Sequence, residues 1–527
     1  MPSLPLRAGA LAAFAAVALA VPAARGDATA AGPAHPHLPS AWTMAGQNLA
    51  NTRSNPAEHA LSTANVGQLA ARWTYTPHGN VSATPAVVDG AVYVPDWGGY
   101  VSKLDARTGA VIWSRPVTDY GFPAGALSRT SPAVSGHRLF LGDHTSGTLY
   151  ALDTGTGALL WKSVLSTHPG ATLTQSPVVD DGVVYQGVSS EEEGLAVNSN
   201  YPCCTFRGSL AAVSAATGQV LWQTYMVPDN GGQPGGYSGG AVWGSTPALD
   251  PAHHTVYVTT GNNYEVPDSV DACVAGGGTP AQCLDPADHI DSIVALDTRT
   301  GAIRWASGPP AFDTWNIACV AAPPPNNCPD NPGADNDFAQ GAQLFTVPDG
   351  HHGTRQLVGA GQKSGVYWAV DARTGAVVWS AAVGPGSPNG GMQWGSATDG
   401  RRIYVQETDA ARVPYTLPDG QQIAYSSFAA LDAATGRIVW QVPEPHQGFA
   451  LGALSTANGV VYAGSHSGHL YALDAATGAV RWDQPVPGAT IAGPALVDGT
   501  AYWGIGYSNH LGGPADATAF YAFSLPH

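Results

Sequence analysis

DARTGAVIW, Asp105 to Trp113, returns in altered form along the whole chain, and that recurrence decides the fold. Six further copies end at Trp161, Trp222, Trp305, Trp379, Trp440 and Trp482, each opening eight residues before its tryptophan. Thr and Gly hold the third and fourth positions after the start, as in Thr108 and Gly109, and only one copy replaces the opening aspartate, by Ser214. An alternating apolar run precedes each turn, such as LYALD at Leu149 to Asp153, and another follows it. Period-two alternation on both sides of a Thr-Gly turn describes a β-hairpin. The aspartate can accept hydrogen bonds from the turn, the glycine can take a positive φ, and the tryptophan can fill the space between neighbouring sheets.

Upstream of each hairpin stands a second pair of short strands, as in ATPAVVDGAVYV (Ala83 to Val94), TSPAVSGHRLFLG, QSPVVDDGVVYQG and STPALDPAHHTVYVTTG. Weaker copies occupy Gly395 to Val405, Ala453 to Ala463 and Gly493 to Gly504. Four antiparallel strands per unit, with tryptophans 42 to 83 residues apart, predict an all-β chain folded as an eight-bladed β-propeller over residues 60–527. The eighth unit lacks its tryptophan strand, whereas Trp73, in LAARWTYTP, has no hairpin of its own. The expectation is that the Trp73 strand completes the last blade and leaves no free sheet edge. A seven-bladed ring with a C-terminal extension is the rival.

With 527 residues and 44% hydrophobic content, the chain has enough apolar surface for a large core, so disorder is excluded. A net charge of −17, with only 11% charged residues, excludes a surface that tracks nucleic-acid phosphates. Residues 1–24 read as a secretory signal: Arg7 is the positive charge, Ala8 to Val21 the apolar run, and small residues around Ala20 to Ala24 offer cleavage sites. That run is short for a membrane span, so a secreted or periplasmic protein without stable membrane insertion is expected, residues 25–59 forming an N-terminal extension. Six cysteines fall in three local pairs, Cys203 with Cys204, Cys273 with Cys283 and Cys319 with Cys328, which fits disulfides in an oxidising compartment. Local pairing is the simplest of the 15 possible connectivities. There is no CxxCH for a c-type haem, and no CxxC pair for zinc.

The tryptophan hairpins in eight units resemble the quinoprotein alcohol dehydrogenases, and the segments GNVSATPAVVDGAVYVPDWGG, CCTFRGS and GQKSGVYWAVD resemble their polyvinyl alcohol dehydrogenase group. The resemblance runs from Trp73 to the C-terminus and implies pyrroloquinoline quinone (PQQ) and a calcium ion on the ring axis. It implies that Thr174 and Ser189, fifteen residues apart in TLTQSP and SSEEE, bind the quinone carboxylates. Glu192, three residues further, is the implied calcium ligand, with Glu193 as the register alternative. Trp243 would lie flat under the quinone and Asn262 would offer its amide oxygen to the metal. In PGADNDFAQGAQLF, Asp337 before Phe338 matches the family's base and a further metal ligand, with Asp335 competing. Lys363, one of only three lysines in the chain, matches a residue that contacts the quinone oxygens, and Arg129 a quinone-binding arginine.

Two departures bear on this carry-over. Cys203 and Cys204 lie a whole blade later than the adjacent cysteines of the better-known alcohol dehydrogenases, in the position of the polyvinyl alcohol group. Ala339 stands where lanthanide-using relatives add an aspartate, which favours calcium. The implied activity is oxidation of secondary or polymeric alcohols, with electrons leaving to an external acceptor such as cytochrome c. The rival function is a non-catalytic propeller scaffold of the outer-membrane assembly type, which shares the hairpin.

Overall fold

The structure, a computed structural model, describes residues 40–526 except 310, 322, 324, 325 and 508–516. The expected signal at 1–24 lies outside the described residues. Seven four-stranded antiparallel sheets and one of five strands, the third, follow one another along the described residues, with two further two-stranded pairs in insertions. The first blade is Ala86–Val88, Ala91–Pro95, Tyr100–Asp105 and Val111–Pro116. The eighth is Ala495–Val497, Thr500–Ile505 and Ala519–Ser524, completed by the N-terminal strand Ala70–Tyr75. That last pairing runs antiparallel with Tyr75 opposite Phe520 and Trp73 opposite Ala522, so the ring closes on the Trp73 strand as expected. The seven-bladed alternative is excluded.

Each signature works as its chemistry requires. Asp105 Oδ1 accepts from the Thr108 N–H at 2.8 Å and the Thr108 hydroxyl at 2.7 Å, closing the turn, and Gly109 adopts φ +72°. A Cβ on Gly109 would come within 2.7 Å of the Trp73 ring of the preceding blade. The other turn glycines, Gly157, Gly218, Gly301, Gly375, Gly436 and Gly478, meet the preceding tryptophan in the same way. The docked indole donates onward: Trp113 Nε1 to the Thr154 carbonyl, Trp161 to Ala215, Trp440 to Ala475, and Trp482 to Leu69 at the closure. One residue pair therefore serves as turn, spacer and latch between neighbouring blades.

First strands are mostly buried and fourth strands largely exposed, as expected of inner and outer edges of a blade. Residues 42–55, which the sequence reading sets outside the propeller, lie across these inner strands. Backbone bonds join Trp42 to Val87, Thr43 to Val134, Leu49 to Leu249, Ala50 to Leu344, Thr52 to Thr398 and Arg53 to Thr456, one partner from each of six blades. Asn55 Nδ2 reaches the Leu496 carbonyl of the eighth, and Met44 joins the core that holds Val178 and Val179 of the third. The segment thus bonds to seven of the eight blades. The three expected disulfides, Cys203–Cys204, Cys273–Cys283 and Cys319–Cys328, are present, all in insertions between strands. Among the described residues no helix is long and apolar enough to cross a membrane.

Candidate active site

Loops that lead into the inner strands of blades two to seven, with loops that follow the second strands of blades three, four, five and eight, enclose a cavity of about 210 Å³. Arg129, Thr174, Ser189, Trp243, Asp337 and Lys363, all singled out in the sequence, line it together. The floor carries hydroxyls: Ser189 Oγ donates to Thr174 Oγ1 at 3.1 Å and lies 3.0 Å from Thr172 Oγ1. Trp243 presents its indole beside them, with Lys363 Nζ 5.4 Å from the ring centroid. The Arg129 guanidinium sits within cation–π range of Trp97, Trp394 and Tyr507, 4.8 Å from the Trp394 ring.

Asp337 is the best-anchored carboxylate in the cavity. Its Oδ1 accepts from the Asn262 N–H at 2.7 Å, and its Oδ2 from Trp243 Nε1 at 3.0 Å, with Lys363 Nζ 3.1 Å away. Lys363 also pairs with Asp335 at 2.7 Å, so one buried ammonium serves two carboxylates. Burial pulls the Lys363 ammonium down, but Asp335, Asp337 and Glu193 together hold it well above the usual lysine range. Asp335 is pushed far up by burial, opposed by Lys363 and reinforced by Asp337 and Glu193. Asn262 donates both amide hydrogens to the carbonyls of Asn263 and Trp315, at 2.9 and 2.8 Å, which leaves its oxygen as the end open to a cation.

Glu192 is corrected by the structure. Its carboxylate turns away from the cavity and is fully buried against the next loop. There it accepts from the N–H groups of Thr205 and Phe206, each at 2.8 Å, and from the Tyr201 hydroxyl at 3.0 Å, with His168 Nε2 at 3.2 Å. Burial raises its pKa, but the bonds from His168, Thr205 and Phe206 outweigh this and hold the carboxyl below the usual glutamate value. Its neighbour Glu193 faces the cavity instead. Both open the helical turn Glu192–Leu195, where adjacent side chains diverge by about 100°, so only one of the two can point inward. Burial pushes Glu193 up to about 8, with Lys363 lowering it and Asp337 and Glu191 raising it.

Sequence reasoning missed the layer beneath. Asp313 accepts from the N–H groups of Asp335 and Asn336, pinning Asp335 in its left-handed conformation, φ +58°. Asp291, buried, is pushed far above the usual carboxylate range by burial and then by the charge of Asp313. Arg53 approaches from the segment across the inner strands, donating to the Leu454 and Ala45 carbonyls and to Thr84 Oγ1. It lines a smaller cavity of about 30 Å³ that also borders Arg129, Thr174 and Trp394. Cys203 and Cys204 do not line the main cavity.

A family model described as outer membrane protein assembly factor BamB matches residues 43–200 and 424–504. Polyvinylalcohol dehydrogenase of a Pseudomonas species is 32% identical over 462 residues, covering 82% of this chain and 66% of that protein. Polyvinylalcohol dehydrogenase of Sphingopyxis sp. (strain 113P3) is 30% identical over 444 residues, covering 78% and 62%. Over most of its length the chain is similar to alcohol dehydrogenases of the polyvinylalcohol and quinohemoprotein kinds. It spans 62 to 66% of the length of these curated relatives. Among solved structures, quinohemoprotein alcohol dehydrogenase from Comamonas testosteroni superposes with a TM-score of 0.69 over 92% of this chain and 80% of that one, at 22% identity, a likeness of fold. Of the residues singled out in the sequence, Arg129, Thr174, Ser189, Trp243, Asp337 and Lys363 line one cavity, as does Glu193, whereas Glu192 and Asn262 are not part of its lining.

Proposed function

We propose that the chain is a secreted or periplasmic alcohol dehydrogenase that uses PQQ and calcium and oxidises secondary or polymeric alcohols. The observation that carries this reading is the packing of Asp335, Asp337, Glu193, Lys363 and Arg129 around one cavity beside the exposed part of an indole. The donor set fits both groups. Arg129, Lys363 and the Thr174 and Ser189 hydroxyls suit a flat polycarboxylate lying against Trp243, and Glu193, Asn262 Oδ1 and Asp337 suit a cation that prefers oxygen. Three carboxylates share this space with one lysine.

When bound, the quinone supplies a two-electron acceptor and the cation a Lewis acid. Asp337 takes the hydroxyl proton of the alcohol, its carboxylate held in orientation by the Asn262 N–H and Trp243 Nε1. Lys363 places a fixed positive charge beside it, preorganised by Asp335. Trp315, Ile317, Leu451 and Tyr507 give the mouth an apolar lining that excludes water and favours an alkyl-chain alcohol. The relatives named polyvinylalcohol dehydrogenase support the polymeric substrate. Electrons leave to an external acceptor, with cytochrome c the proposed partner.

The match to the BamB family model raises the scaffold alternative. A docking scaffold has no use for a costly cluster of buried charges around a cavity, which favours the enzyme. The test is dye-linked oxidation of 2-alcohols and polyvinyl alcohol by purified protein with PQQ and calcium added singly and together. Activity should require both and vanish with a chelator; full activity with a nicotinamide cofactor alone would overturn the proposal.

A further inference from the structure

Outside the central cavity, the seventh blade carries a polar cluster that alcohol oxidation does not use. His446 lies in the turn that leads into the blade, His469 opens the strand His469–Asp474, and Asp483 lies in the outer strand Val480–Pro485. His446 Nε2 stands 2.9 Å from Asp483 Oδ2, and His469 Nδ1 stands 2.6 Å from Oδ1. One donor atom from each residue lies within 4.8 Å of the other two. The two imidazoles stack, centroids 3.6 Å apart and planes 24° from parallel, and the Tyr471 ring lies beside the pair, 6.2 Å from His469 and 6.3 Å from His446.

This arrangement is held from beneath. Glu444, buried, accepts through Oε2 from the N–H groups of His446 and Gly448, at 2.9 and 2.6 Å, which wraps the turn around its own carboxylate. Its Oε1 accepts from the hydroxyls of Ser467 and Tyr471, at 2.8 and 2.5 Å, tying that turn to the strand that carries His469. His446 is therefore positioned independently of Asp483, as are the two residues on paired strands. The cluster stays reachable from solvent, with side-chain exposures of 42% for His446, 21% for His469 and 35% for Asp483.

Two imidazole nitrogens and one carboxylate oxygen form a borderline donor set, suited to zinc and its first-row neighbours and poorly suited to calcium, which takes oxygen ligands. Zinc–nitrogen bonds of about 2.0–2.1 Å need donor atoms roughly 3.3 Å apart, so side-chain shifts of about an ångström would admit an ion. We propose that His446, His469 and Asp483 form a surface site for one divalent transition-metal cation of the zinc type, with a fourth position open to water or to a group from another molecule. On binding, each neutral imidazole moves its proton from the nitrogen facing Asp483 to its other ring nitrogen, and the freed lone pairs and the carboxylate take the metal. No electron is transferred. The ion would cross-link the entry turn to the outer half of the blade.

The competing explanation is a hydrogen-bonded surface ion pair with no ligand, and zinc titration separates the two. The full chain without an affinity tag, kept in excess calcium, is titrated with zinc chloride by calorimetry and with copper(II) by electron paramagnetic resonance. Site formation predicts one zinc per chain with a Kd below about 10 μM, a copper signal showing two coupled nitrogens, and a weakening of about a hundredfold or more in the His446→Gln, His469→Gln double variant. Asp483→Asn should weaken zinc at least tenfold and leave the unliganded melting temperature nearly unchanged. Zinc binding of the same strength in the double variant, or no binding below about 1 mM in the parent, would overturn the proposal.

Discussion

Adjacent glutamates with opposite orientations allow a sharp test of the site. Glu192→Ala removes the acceptor of two buried N–H groups, those of Thr205 and Phe206, and of the Tyr201 hydroxyl. Each stranded backbone donor costs about 1–3 kcal/mol, so the variant should lose about 2–6 kcal/mol. At an unfolding entropy of about 2.1 cal/mol/K per residue, a ring of this size loses roughly 2–6 °C in Tm. Glu193→Gln breaks no such bonds, and burial already disfavours its charge, so its Tm without metal should match or exceed the parent's. With calcium the parent should overtake Glu193→Gln. An ion at a hundred times its Kd stabilises by about 2.7 kcal/mol, and that gain should appear in the parent and in Glu192→Ala but not in Glu193→Gln. Differential scanning fluorimetry with and without calcium reads all three proteins. If Glu193→Gln keeps the calcium-induced shift and Glu192→Ala loses it, the orientation of this helical turn and the ligand set built on it are wrong.

Asp337→Asn should cut alcohol-dependent dye reduction by about 10² to 10⁴ while quinone binding, followed by absorbance, persists; Asp335→Asn, which touches Lys363 but not Trp243 or the Asn262 N–H, should cost less, and the opposite ranking would move the base to Asp335. Gly436→Ala, at φ +73° and with its Cβ directed into the Trp379 ring, should lower the urea midpoint by the equivalent of about 2 kcal/mol or more, whereas Gly400→Ala, also at positive φ but with open space around it, should cost only the backbone strain of about 1–2 kcal/mol. Trp73→Ala loses stacking against Phe520 and the bond to the Ala106 carbonyl at the ring closure, and should destabilise by about 2–4 kcal/mol in the same assay. Glu192, whose carboxyl is held below its ordinary value, contributes stability that is present above the unfolded pKa of about 4.3 and lost as pH falls through the lower folded value; the stability gap between the parent and Glu192→Gln, measured by urea titration, should shrink steadily from pH 6 to pH 3.

The ring was legible because its determinants are local. Aspartate, threonine, glycine and tryptophan within nine residues specify turn, φ and docking ring, and seven repetitions leave little room for another fold. Trp73 pointed to the closure because it had no hairpin of its own. The segment at 42–55 was illegible for the converse reason: it docks mainly through backbone groups, which every residue type offers equally. At the site, Thr174, Ser189, Trp243, Asp337 and Lys363 could be placed from motifs, since strand ends fix where they emerge. The choice between Glu192 and Glu193 turned on a helical rotation of about 100°, which three consecutive glutamates do not disclose. Asp313 acts through the backbone N–H groups of Asp335 and Asn336, and Asp291 lies buried near it across loops; neither carries a motif.

Residues 42–55 also bear on how such a ring can change over evolutionary time. Propellers gain and lose blades readily when each repeat touches only its neighbours. Here one short stretch is measured against the inner strands of seven of the eight blades, with bonds from successive carbonyls at Leu49 and Ala50, then Thr52 and Arg53, each spent on a different blade. A duplicated blade would widen the circle beyond the reach of a fixed run of peptide, and a deleted one would leave a carbonyl with no strand to meet. The count is thereby frozen. What remains free to vary is the length of the connections between strands, and that is where all six cysteines, Glu193 and the Asp335–Asp337 loop are found.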